Sequence, residues 1–164
     1  MTVRNVVNDW LWIARYHIVL VAMTAMVVFG WLMSGRYLVP LAAVVGIDWF
    51  LINLLNRITD LAEDTHNQVP GTARVAAQKG WLTALSLVLL VGSLVATHLV
   101  WPQLTPWRVA VQLIGLAYNY PFLPGKRRIK ELYFWKNTAS ATGFLITVFG
   151  YPLAVSRGAF PAGI

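Results

Sequence analysis

The sequence predicts an all-α, multi-pass membrane protein with about five spans, and three observations carry that reading. Of 164 residues, 58% are hydrophobic and 12% charged, too few charges for the surface of a water-soluble domain of this length. Several stretches approach the roughly 20 apolar residues that cross a bilayer. Basic residues also gather in alternate connecting segments, as they do in cytoplasmic loops.

The elements follow in order. Residues Met1 to Asp9 read as a short polar lead. Trp10, Trp12 and Tyr16, with Arg15 and His17 among them, read as an interfacial aromatic band. Ile18 to Met33 is the first expected span, stopped by Ser34-Gly35-Arg36. The second runs from about Tyr37 to Leu55 and continues as helix through Asp64, until Val69-Pro70-Gly71-Thr72 breaks it. Ala73 to Gly80 leads into a third span, Trp81 to Trp101. The pairs Trp101-Pro102 and Thr105-Pro106 mark a tight turn, and Trp107 to Tyr120 is a fourth span, short enough to be tilted or to thin the bilayer locally. Pro121 to Lys136 is a basic loop, and about Asn137 to Val155 is the fifth span. Within it, Thr138 to Gly143 are all small, a surface that permits close helix packing. Residues 1–164 form a single transmembrane domain.

With the N-terminus inside, the inner segments carry Arg4, Arg15, Arg57, Arg74, Lys79, Lys126, Arg127, Arg128, Lys130 and Lys136, against Arg36, Arg108 and Arg157 outside. The same topology puts the acidic stretch after span two and the basic loop after span four on the cytoplasmic side of a cell membrane. Several function classes drop out. The chain has no cysteine, which excludes disulfides, thiolate metal sites and cysteine nucleophiles. Its net charge of +7 is met by the loop bias and implies no nucleic acid. Pro124-Gly125-Lys126 lacks the rest of a phosphate-binding loop, and His17, His66 and His98 stand apart from one another.

The informative stretch is Asn53 to Asp64. At roughly 100° per residue, Asn53, Asn56, Asp60, Glu63 and Asp64 share an arc of about 100° on one helical face. Two carboxylates one turn apart, with carboxamides below them, suit a hard cation such as Mg²⁺, which takes one or two carboxylates and leaves its other positions to water and phosphate. A solvated helix end is the plainer alternative. Asp48 lies mid-span, where an ionisable group either lines a cavity or hydrogen-bonds between helices. The cluster Lys126-Arg127-Arg128-Ile129-Lys130 reads first as the ordinary basic loop of the inner side or a patch for anionic headgroups, with phosphate contacts as the alternative. Tyr118 and Tyr120 read as interfacial anchors or as cavity residues whose rings face a cation.

Asn56-Arg57-Ile58-Thr59-Asp60-Leu61-Ala62-Glu63-Asp64 resembles the first aspartate-rich motif of the UbiA prenyltransferase family, Asn-Asp-x-x-Asp-x-x-x-Asp, with Arg57 in place of the first aspartate. Tyr118-Asn119-Tyr120-Pro121 followed by Lys126-Arg127 is similar to the family's Tyr-x-Tyr-Pro…Lys-Arg segment. The resemblance implies the first half of a nine-helix fold and an Mg²⁺-dependent transfer of a prenyl group from a prenyl diphosphate to an aromatic or lipid acceptor. It implies Asp60 and Asp64 as metal ligands with Asn56 beside them, and Lys126 and Arg127 as diphosphate contacts. Lys130, Tyr118, Tyr120 and Asn53 are further substrate-binding candidates. Arg57, about 100° from Asn56, is expected to pair with Glu63, to reach headgroups or to weaken the metal site. The family's second aspartate-rich motif is not visible in this chain. The expectation is therefore an incomplete domain, a half-size protein that self-associates, or a truncated non-catalytic relative that binds isoprenoid diphosphates or partner helices.

Overall fold

A segment without water must satisfy its backbone internally, which leaves long apolar stretches the helix. The computed structural model describes residues 3–156 and is helical almost throughout, with no strand among the described residues. Helix α1 (Val3–Ala14) replaces most of the expected polar lead, of which Met1 and Thr2 lie outside the described residues. It is amphipathic, burying Ile13 while Arg4, Asn5 and Asn8 face outward. Arg15, left-handed at φ 46° and ψ 48°, separates it from α2 (Tyr16–Ser34).

Helix α3 (Val39–Thr59) is the axis of the bundle. It buries more than half of its length against α2, α6 (Lys79–Val100) and α7 (Thr105–Asn119). After it come α4 (Leu61–His66) and α5 (Thr72–Ala77), divided at the expected Val69-Pro70-Gly71 break. The last long helix runs from Tyr133 to Val155 as α8 (Tyr133–Leu145), a π-turn (Ile146–Gly150) and α9 (Tyr151–Val155).

Among the described residues, four helices are long and apolar enough to cross a membrane: α2, α3, α6 and the helix from Tyr133 to Val155. The expected fourth span is a helix of 15 residues, about 22 Å long and short of a ~30 Å hydrocarbon core. It packs beside α3 nonetheless: an added Cβ on Gly115 would lie 2.6 Å from Ile52 Cγ1, so glycine permits the close approach.

Two apolar clusters hold the bundle. Met26, Val45, Val111 and Tyr151 belong to one, and Ile13, Leu54, Val75 and Leu82 to the other, which ties α1 and α5 to α3 and α6. The tie passes over Gly71 at φ +83°, where an added Cβ would meet Ile13 Cγ1 at 2.9 Å and the Asp9 carbonyl oxygen at 3.0 Å. Gly71→Ala should therefore cost about 1–3 kcal/mol, read as a fall in thermal midpoint of the purified protein.

Between the clusters lies a buried polar network. Asp48 and Arg108 are both fully buried and form a two-point ion pair, with Arg108 Nε 3.0 Å from Asp48 Oδ2. Gln112 Nε2 and the Tyr151 hydroxyl also donate to Asp48, each at 2.7 Å. Arg108 donates onward to Ser93 O at 2.7 Å and Thr97 Oγ1 at 2.6 Å. Arg108 is thus no outer-loop charge, and Arg157 lies outside the described residues. Asp48 is the interhelical hydrogen-bonding group of the two alternatives and lines no part of the cavity described below.

Candidate functional site

The last turns of α3 carry the polar residues. Thr59 turns its hydroxyl back to Leu55 O and Asn56 O at 3.0 and 3.1 Å, a contact that favours a bend. Asp60 follows at φ −102° and ψ 20°, so the helix bends there before α4 resumes. Backbone hydrogen bonds from Asp60 N to Asn56 O (3.0 Å) and from Asp64 N to Asp60 O (2.8 Å) bridge the bend and keep the acids one turn apart. Asn53, Asn56, Asp60 and Asp64 are buried on the expected face, whereas Glu63 points to the outside.

The two acids address different cations. Asp60 accepts hydrogen bonds from Lys130 Nζ and, at 3.0 Å, from Arg128 Nη1. Lys130 also donates to Asn56 Oδ1 at 3.1 Å and sits 5.9 Å over the Tyr118 ring. Burial pushes the Lys130 ammonium below the usual lysine range, against the pull of Asp60. Arg128 is shared with Glu131, whose Oε1 lies 2.5 Å from its Nε. Asp64 instead receives Arg57 Nη1 at 2.5 Å, and Arg57 Nη2 donates to Pro70 O at 2.6 Å. Arg57 is buried and pairs with neither Glu63 nor a headgroup; it pins the α4–α5 corner to α3. Burial raises the Asp64 carboxyl above the usual range, with Arg57 opposing the rise.

The basic loop therefore meets the acids through Arg128 and Lys130. Lys126 and Arg127 are exposed on a turn made by Gly125 (φ 75°) and Lys126 (φ 56°), which closes on a Leu123 N to Arg127 O hydrogen bond of 3.1 Å. Arg128 belongs to the expected basic cluster but is not singled out within it by the sequence. Its spacing of two from Lys130, past a Pro-Gly turn, was the available signal.

Beside these groups a cavity of ≈ 280 Å³ opens between α2, α3, α7 and α8. Arg15, Asn53, Asn56 and Tyr118 are its polar lining, and Trp49, Ile52, Val111 and Ile114 are among its apolar walls. Asn53 Nδ2 donates to Trp49 O at 2.8 Å. The small residues Ala139, Ser140 and Gly143 leave room for the cavity, while Ser140 and the neighbouring Ala141 and Thr142 are exposed. Tyr118 belongs to it; Tyr120 does not, stacking on Phe122 at 6.0 Å and lining a groove with Leu55 and Ser86.

The described residues hold no group of three or more His, Asp or Glu side chains placed to share an ion. For Mg²⁺ the donor set divides. Asn56 Oδ1 and Asp60 Oδ1 fit, because an ammonium already sits on both oxygens where a cation would. Asp64 offers only its second oxygen, because Oδ2 is taken by buried Arg57.

No family model, curated protein or solved structure matches the chain. The class defined by fold and site is an all-helical protein with four helices of membrane-spanning length and a cavity that opens beside a cluster of paired charges.

Proposed function

We propose that the protein is an intramembrane prenyltransferase of UbiA type, moving a prenyl group from a prenyl diphosphate to an aromatic or lipid acceptor. One observation supports the reading: a largely apolar cavity opens at Asn56 and Tyr118, two of the three residues on which Lys130 rests. The prenyl chain lies along Ile52, Val111 and Ile114, shielded from water, and the diphosphate lies among Lys130, Arg128 and Asn56. Asp60 holds both cations in place until the phosphates draw them away. The Tyr118 face stabilises the allylic cation that forms as the diphosphate leaves. When bound, Mg²⁺ supplies further positive charge to the leaving group, with Asp60 and Asn56 as its protein ligands. Asp64 acts by holding Arg57. In the cell membrane, the N-terminus and both site loops face the cytoplasm.

The second reading, a non-catalytic relative that binds isoprenoid diphosphates, is favoured by the pairing of both acids with cations of the chain itself. Purified protein in nanodiscs, given a prenyl diphosphate, an aromatic acceptor and Mg²⁺, should release pyrophosphate. Saturable binding without release selects the second reading, and absence of binding overturns both.

A further inference from the structure

The cations around the cavity mouth are nearly all matched. Arg57 is held by Asp64, Lys130 by Asp60, and Arg128 by Glu131 as well as Asp60. Arg15 is the exception: it lines the cavity with Asn53 and Asn56, is half-buried, and its guanidinium makes no hydrogen bond or ion pair among the described residues, while Asp64, the acid within electrostatic reach, is already bound by Arg57. A half-buried charge without a contacting counter-charge of its own is costly, and more so at the edge of an apolar bundle.

The backbone adds a second observation. Arg15 occupies the left-handed region, where glycine or asparagine would turn the chain from α1 into α2 at lower cost. The turn itself needs only main-chain bonds, Arg15 N to Trp12 O at 3.2 Å and Ile18 N to Arg15 O at 2.9 Å. The side chain is free of that duty and faces the cavity.

We propose that Arg15 is an anion-binding residue of the cavity, completing the phosphate subsite from the wall formed by α1 and α2. The inference rests on the diphosphate reading and deepens it. Lys130 and Arg128 bring two positive charges, and Asp60 and Glu131 offset two, so they leave no surplus for a dianionic head. Arg15 supplies that surplus, and its fork can take two phosphate oxygens at once.

The test is titration of the full chain, in nanodiscs of neutral lipid, with a prenyl diphosphate and with the matching prenyl alcohol, followed by Trp fluorescence. Arg15→Gln should weaken diphosphate binding by about tenfold to a hundredfold and leave alcohol binding within about twofold. Arg15→Lys should recover most of the loss. Arg15→Asn, which tolerates the left-handed turn, repeats the measurement should the glutamine variant misfold. Unchanged diphosphate affinity in Arg15→Gln, with the wild type binding, overturns the role of Arg15 and leaves the diphosphate reading standing. A wild type that binds no diphosphate overturns that reading and this inference with it. If the variant's loss of diphosphate affinity appears only in nanodiscs doped with anionic lipid, Arg15 is a headgroup anchor and the inference fails.

Discussion

Arg108→Met, made in a chain that keeps Asp48, should lower stability by about 3–5 kcal/mol, the cost of leaving one member of a buried ion pair without its partner. Asp48 sits with Arg108 at 0% exposure, so neither water nor headgroups can take over. Gln112 and Tyr151 would still donate to the carboxylate, but neutral donors do not balance its charge. Arg108 also satisfies Ser93 O and Thr97 Oγ1, so its loss strands polar atoms on α6 as well. Denaturant titration in mixed micelles reads the change directly. Pairing Arg108→Met with Asp48→Leu should recover much of the loss, because buried ion pairs replaced by apolar residues of similar volume are often near neutral. A single variant within about 1 kcal/mol of the wild type would show that the pair is not dry.

Asp60→Ala should abolish function while sparing the fold, and Asp64→Ala should do the reverse. Asp60 anchors two cations at the cavity mouth, and without it Lys130 keeps only Asn56 and the Tyr118 face. Pyrophosphate release should fall by at least about a hundredfold, the scale seen when one preorganised electrostatic group is removed. The thermal midpoint should move little, since the Lys130 stem can carry its charge to water. Asp64→Ala instead strands Arg57, which is buried against Pro70 O and Thr72. Its main effect should be a loss of stability of about 2–4 kcal/mol, and Arg57→Met should relieve part of it. Normal release by the Asp60 variant would remove the proposed chemistry from this end of α3.

The long helices were legible because apolar runs of about twenty residues bounded by Gly, Pro and charge have few other solutions. The polar face of α3 was legible too: Asn53, Asn56, Asp60 and Asp64 are buried together, and only Glu63 departs from it. Charge pairing was not legible. Arg57, read by angle alone, points away from Asn56, but the chain reverses at Pro70 and brings Thr72 and a carbonyl to meet it. Arg108 sits beside a Pro-rich turn and resembles a loop charge, yet a long side chain entering from the first turn of α7 reaches mid-bundle Asp48. The choice of Arg128 and Lys130 over Lys126 and Arg127 depends on two consecutive left-handed residues, a twist that composition does not reveal.

The π-turn at Ile146–Gly150 has a geometric consequence of its own. The turn widens to take in one extra residue, with Tyr151 N donating to Ile146 O, so everything beyond it lies about 100° behind where an unbroken α-helix of the same length would carry it. The phenol of Tyr151 meets Asp48 only with that offset; tightening the turn to ordinary α geometry without removing a residue would swing the ring toward the bundle's flank. The tail of this helix is thus clocked rather than merely laid against its neighbours.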